Sequence, residues 1–269
     1  MTRLCRVFDV TRAGYYAWRQ RPASARTRQD RLLLEEMRAI FEQSDRTYGS
    51  PRLQRALRGQ GYRVSRRRVE RLMRVGALRA RAARVYRPKA GTHRWFGRQP
   101  NYVRRLRVTR PNQIWVADLT YLPAGRRWWF LAIVLDQYSR RVLAWRLARS
   151  RTSRLVRRIV EAAHRRRRPP TGLIVHSNRG SEFQGQSLQQ LLTARGIRHS
   201  MTRGGAPDEH AHVESFFHSL KAECIHGRLF PTVAILRHAV QAYVRYDNHR
   251  RLHSSLGYQS PIDYERRAA

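Results

Sequence analysis

Between Gln113 and Ala148 three apolar runs, "QIWVADLTYL", "WWFLAIVLD" and "VLAWRLA", follow one another with only the short breaks "PAGRR" and "QYSRR" between them. Runs of this length joined by so few residues predict an antiparallel meander of three strands. The middle run is apolar on both faces and predicts a central strand covered on both sides. Inside the first run sits one carboxylate, Asp118, with Val116 and Thr120 on its own face. Burying a carboxylate is costly unless it is paired or holds a metal. In this chain an arginine is as available a partner as a cation.

After the meander the pattern alternates. A helix is expected over about 151–166, a strand in "GLIVHS", a helix over about 186–194 and a short strand in "IRHSM". Helices over about 208–223 and 231–247 follow. Three antiparallel strands followed by alternating helices and strands predict an α/β fold, a mixed sheet of ribonuclease-H type.

The first part of the chain reads differently. Leu32, Leu33, Met37, Ile40 and Phe41 recur at helical spacing, and "YGSP" at Tyr48–Pro51 signals a turn. A second helix takes Leu53, Ala56 and Leu57 and stops at "GQG". Ser65 is a natural N-cap for a third, with Val69, Leu72 and Met73 as its buried stripe. Two short helices around a glycine turn, the second opening on Arg66, Arg67 and Arg68, have the form of a helix-turn-helix. A helical hairpin with a solvated arginine face fits the same spacing. The expected organisation is a small all-α, helix-turn-helix-like DNA-binding region over 1–81 and a basic linker over 82–111. A core of that α/β type over 112–247 and a basic C-terminal tail over 248–269 complete it.

Charge bears on partners. Lys+Arg is 56 against Asp+Glu 18, a formal net charge of +38. Self-repulsion of this size calls for a polyanion, and nucleic acid rewards many dispersed cations through counterion release. An anionic membrane surface is disfavoured because the cations are spread along the chain rather than clustered beside an apolar segment. Lys89 and Lys221 are the only lysines. The arginine bias suits phosphate, and GC-rich coding would produce it equally well. Cys5 and Cys224 stand far apart without a C-x-x-C pair, so neither a disulfide framework nor a cysteine zinc site is expected. The longest apolar run, Trp128 to Leu135, is too short to span a bilayer, and no signal-peptide core is seen. A cytoplasmic protein that meets nucleic acid is the expectation.

Scarce acids carry the chemistry. In "DEHAHVESFFHSLKAEC", Val213, Phe216, Phe217, Leu220 and Cys224 form a buried helical face, while Glu214, His218 and Lys221 share another side. An isolated Glu214 would be an ordinary helix N-terminal glutamate. Together with Asp118 it has a joint use, because carboxylates converging from a strand, a strand end and a helix can hold two divalent ions for phosphodiester displacement. Oxygen ligands favour Mg²⁺ or Mn²⁺. The third ligand belongs at the end of the strand next to the first, in "IVHSNRG", where Asn178 stands.

The stretches "GYYAWRQRP", "YGSPRLQRAL", "RVSRRRVERLMRVGAL", "PNQIWVADLTYLP", "LDQYSRRVLAW", "HSNRGSEF", "VESFFHSLKAE" and "YDNHRRLHSSLGYQSPIDYE" occur in that order. As a set, from about Gly14 to Glu265, they resemble the second-frame (OrfB) subunit of insertion-sequence transposases of the IS-three type, which carry the DDE integrase catalytic core. The family signature is two aspartates and a glutamate, with thirty-five residues between the second and third. Thirty-five residues lie between Asn178 and Glu214. The resemblance therefore assigns the catalytic and metal-binding positions to Asp118, Asn178 and Glu214, with Mg²⁺ or Mn²⁺, two ions if the site is functional. Asn178 offers a neutral oxygen and no charge, which implies impaired cutting and joining of DNA. The alternative is an inactive DNA-binding remnant or a regulator of transposition. Glu182 and Glu209 are nearby acids. Where the family has Asp-Asn-Ala ahead of the glutamate, Glu209, His210 and Ala211 stand; His210 and His212 read as polar helix residues rather than metal ligands. The resemblance implies DNA contacts at Lys221 and, with a packing role equally open, at Arg250, Arg251 and His253. It further implies element-end and target DNA as partners, a first-frame protein or fusion, and a homo-oligomer on DNA. No counterpart of a retroviral His/Cys zinc module is present.

Overall fold

Helical periodicity ends near residue 80, and there the structure, a computed structural model describing residues 2–81, 100–104, 106–202 and 210–268, divides into two units, 1–80 and 81–269. Most of the expected linker, with Lys89, and also Glu209 lie outside the described residues.

The first unit comprises α1 (Thr2–Val7), α2 (Arg12–Gln20), α3 (Ala25–Gln43), α4 (Ser50–Gly59) and α5 (Arg66–Val75). Ser24 Oγ accepts the Thr27 N–H at 3.1 Å at the start of α3, and Ser65 Oγ accepts the Arg68 N–H at 3.2 Å at the start of α5. Each bond satisfies one of the N–H groups a helix start leaves free. Leu33, Met37, Ile40 and Phe41 are buried, as are Leu53 and Leu57 of α4 and Val69 and Leu72 of α5. Two expectations change. Leu32, one residue off the stripe, is 64% exposed, and Met73 is only half-buried. "YGSP" does not form a separate turn: Gly49 caps α4 and Pro51 lies in its first turn, where a missing N–H costs nothing.

The second unit is built on a five-stranded sheet of order β3-β2-β1-β4-β5. Its strands are β1 (Ile114–Ala124), β2 (Arg127–Asp136), β3 (Val142–Ala148), β4 (Ile174–Ser177) and β5 (Arg198–Met201). The first three are antiparallel, and β4 and β5 join parallel to β1. This is the mixed sheet expected, with β2 inside it between β3 and β1 and covered on both faces; β1 is the middle strand. Period-two alternation sends Trp115 and Ala117 to one face, beneath α6 (Ser153–Arg167) and α8 (Gln186–Ala194). Val116 and Leu122 go to the other, beneath α9 (Ala211–Leu220) and α10 (Val233–His249). The "PAGRR" loop is shorter than its sequence implies, because Pro123 and Ala124 pair with Trp128 and Arg127 and leave Gly125-Arg126 as the turn. A short helix, α7 (Ser181–Gln184), follows β4, and α9 passes into a π-helical turn over Lys221–Ile225.

The segment after 248 is not a tail. It carries α11 (Pro261–Ala268), whose Glu265 receives Arg141 at 2.7 Å, Arg167 at 3.0 Å and the Ser139 hydroxyl at 2.7 Å. Those bonds tie α11 to the β2–β3 turn and to α6. The edge strand β3 is closed by Asn248, whose side chain accepts the Val142 N–H at 2.9 Å and donates to the Val142 C=O at 3.0 Å. An open sheet edge is thereby capped. Pro100 and Tyr102, at the end of the expected linker, bond to Met201 and Ser200 of β5 and belong to the core unit.

Two outcomes follow from this packing. Asn248→Ala strands both backbone groups of Val142 and should cost roughly 2–3 kcal/mol in denaturant unfolding; a loss below about 0.5 kcal/mol would show that Asn248 does not close the edge. Burial pushes His176 down to about 3 and His199 down to about 4. A depressed histidine contributes stability that is present above its unfolded value and is lost as pH falls through the folded one. The melting temperature should therefore drop between pH 7 and 4.5, and His199→Gln, which cannot titrate, should drop less over the same interval.

Candidate active site

The parallel register of β1 and β4 ends at Ala117 opposite Ser177. One step further brings residues 118 and 178 side by side, at the spacing of neighbouring strands, about 4.8 Å. This point lies at the carboxyl end of β4, where the chain leaves the central strand in both directions, the usual place for a site on an open α/β sheet.

Asp118 is buried in β1. No arginine pairs with it among the described residues. Its Oδ1 accepts the Leu119 N–H at 2.8 Å and the Asn178 Nδ2 at 2.9 Å. Burial pushes the Asp118 carboxyl up to about 7; the Leu119 N–H opposes this, the charges of Glu214 and Glu182 add to it, and Lys221 opposes it. Asn178 turns its own carbonyl away: Oδ1 accepts the Gly180 N–H at 2.8 Å.

The other acids surround this pair. Glu214, in the first turn of α9, is raised by partial burial. Glu182 on α7 is buried, with Arg151 Nε at 3.7 Å from Oε2. Its carboxylate lies where a side chain on Gly180 would sit, since a Cβ there would come within 2.6 Å of Oε1. Lys221, in the π-helical turn, holds Nζ 4.8 Å from the centre of the Tyr121 ring. Burial lowers its pKa and the Asp118 charge works the other way.

As arranged, these residues do not make the cradle a pair of divalent cations needs. A hard cation requires oxygens converging on one point, and between Asp118 and Asn178 an N–H stands in that place. Among the described residues no three His, Cys, Asp or Glu side chains come together as a metal-binding group. His210 stacks near His176, ring centres 5.0 Å apart, and His212 is pushed down to about 4 by burial. His210 is buried and His212 partly buried.

The basic positions separate sharply. Arg251 is a correction to the expectation of a DNA contact. It is 5% exposed and donates to Glu223 at 2.8 Å and to Ser219 at 2.9 Å, with Asp247 at 3.6 Å. An arginine so enclosed by carboxylates is a packing residue that fixes the segment after α10. Arg250 is exposed, and His253 sits 3.3 Å from Asp247. Arg66 and Arg67 are exposed, with Arg66 Nε 2.8 Å from Glu70. Arg68 is partly committed to holding α5 on α3, since Asp30 receives Arg68 at 2.7 Å and also Arg71. Missing from the sequence reading is the exposed ring pair Tyr121 and Trp128, adjacent to Lys221. Its signal was present in two large aromatics at the polar end of a hairpin.

Comparison with known proteins agrees with this architecture. The integrase core domain family matches residues 108–207 and again 195–261, and an HTH-like domain family matches 27–86. The transposase InsF for insertion sequence IS3A of Escherichia coli (strain K12) is 37% identical over 270 residues, covering 97% of this chain and 92% of that protein. The insertion element IS600 uncharacterized 31 kDa protein of Shigella sonnei is 33% identical over 97% of each chain. Among solved structures, the HTLV-2 integrase catalytic core domain in complex with magnesium is 18% identical. It covers 59% of this chain and 99% of its own, with a TM-score of 0.44. The BIV integrase catalytic core domain is 17% identical, over 58% and 95%, with the same score. With an integrase core, an HTH-like region and relatives matched almost end to end, the chain belongs to the IS3 family of insertion-sequence transposases.

Proposed function

We propose that this chain is the DNA-acting subunit of an insertion-sequence transposase whose cutting and joining centre is disabled at Asn178. Asp118, Asn178 and Glu214 occupy the three catalytic positions. The observation that carries the reading is the 2.9 Å bond from Asn178 Nδ2 to Asp118 Oδ1.

Divalent cations in integrase cores activate the attacking oxygen and stabilise the leaving one. In this chain two of the residues that would serve Mg²⁺ or Mn²⁺, Asp118 and Asn178, instead bond to one another. Asn178 donates a proton where a second anionic oxygen is needed. Burial raises the Asp118 carboxyl, which weakens its hold on the anionic form a cation needs. Glu214 is left as one carboxylate at the mouth of the site. Loss of an outer partner of a metal site already costs roughly 10–100-fold, and loss of a ligand costs more.

Binding does not need those acids. The helical region over 1–81 and the exposed Arg66 and Arg67 suit phosphate contacts, and the +38 charge supplies a strongly salt-dependent affinity. A chain that occupies DNA ends and cuts them poorly acts as a regulator of transposition. The closed Asp118–Asn178 pair favours this over a fully active enzyme. A first-frame protein and assembly into an oligomer on DNA complete the working unit.

The test is strand cleavage and joining on element-end DNA with Mg²⁺ or Mn²⁺ and the first-frame protein present. Asn178→Asp should exceed the parent chain by at least about 100-fold. Equal and robust activity of the two would refute the claim that Asn178 disables the site.

A further inference from the structure

The β1–β2 hairpin ends in two large rings that the core does not use. Tyr121 is 55% exposed and Trp128 58% exposed. They meet edge to face, ring centres 5.1 Å apart with planes at 89°. The register pairs Tyr121 with Phe130 and Trp128 with Pro123, so the two rings are diagonal neighbours on one face of the hairpin. The tip is held in place by the Gly125 N–H, which donates to the Phe230 C=O at 2.6 Å. These rings stand on a tethered support.

Cations rim the pair. Lys221 lies over Tyr121, and Arg126 and Arg127 are exposed at the tip. Lys221 also feels the charge of Asp118, so it is the common neighbour of the rings and of the acidic site. Along β1, Tyr121 is three residues from Asp118, about 10 Å, an odd step that turns its ring to the other face of the strand, so Lys221 is what links the rings to the acidic site. A rim of three cations on a chain of +38 repels a second copy of the same chain. The combination of flat π-faces and nearby phosphate-binding charge is what single-stranded nucleic acid binds.

We propose that Tyr121 and Trp128 form a stacking platform for unpaired bases at a DNA end, with Lys221, Arg126 and Arg127 on the adjoining phosphates. The proposal rests on the DNA-acting reading above and adds to it the form of the bound DNA. Lys221 stands between the rings and the acidic site, so an unpaired strand whose phosphate lies beside Lys221 can lay its bases on the ring pair. Stacking is indifferent to base identity, so the platform selects frayed ends rather than a sequence.

The experiment measures binding by fluorescence anisotropy to two labelled duplexes, one blunt and one with a short unpaired fork at one end. The parent chain should favour the fork. Trp128→Ala and Tyr121→Ala should each lower fork affinity about tenfold. Binding to the blunt duplex should change less than twofold, and the dependence of affinity on salt should stay the same, because no phosphate contact is removed. Trp128→Phe should recover most of the loss. Unchanged fork binding, or equal losses on both duplexes, would overturn the platform while leaving DNA binding intact. Loss of self-association in Trp128→Ala with fork affinity unchanged would overturn it in favour of a protein partner. A parent chain that binds neither duplex would overturn the DNA-acting reading itself.

Discussion

Parallel pairing of β1 with β4 is the constraint on which the rest of the site depends. The register that sets Ala117 against Ser177 leaves no freedom in what comes next: side chains 118 and 178 must meet. β1 is covered by apolar clusters on both faces, β4 sends Val175 into one of them and Ile174 into a smaller one with Val103 and Ile114, and a slip of one residue would exchange those faces. Glu214 is brought in separately by α9, which Val213, Phe216, Phe217 and Leu220 anchor on the same face of the sheet as Val116. The hydrophobic pattern of two strands and one helix thus brings Asp118 and Asn178 into contact and sets Glu214 near enough for its charge to act on Asp118.

Within that frame the chemistry turns on one atom. An aspartate at 178 would set two carboxylates side by side, a repulsive pair that only cations or protons relieve. An amide relieves it internally, by donating to Asp118 and accepting from Gly180. On the proposed reading the scaffold is kept and the demand for a cation is lessened. Lys221 and the exposed rings beside it are untouched by this change, and so is the charge that attracts DNA.

The sequence made the meander, the embedded Asp118 and the helical stripe of α9 legible because each rests on local periodicity. It also made Asn178 legible as the position next to Asp118, through strand order and the interval to Glu214. What it left obscure depended on tertiary contacts. Arg251 looks like any other arginine in a basic run until Glu223 and Asp247 are seen to enclose it. The segment after 248 has the composition of a tail, but one carboxylate, Glu265, ties its helix to three residues more than ninety positions away. Pro123 suggests a loop, although at the free edge of β1 its missing N–H breaks no ladder. The π-helical turn at Lys221 has no marker in the local pattern, and so the closeness of Lys221 to Tyr121 could not be foreseen.

The central claim is that an amide–carboxylate bond has replaced a cation site. Calorimetric titration of Mn²⁺ into the parent chain and into Asn178→Asp addresses it without requiring turnover or DNA. No saturable binding to the parent chain is expected in the range where the variant saturates, a difference of at least about 10-fold in affinity. Equal affinity in the two proteins would contradict it, because the carboxylate at 178 would then be dispensable for holding the ion.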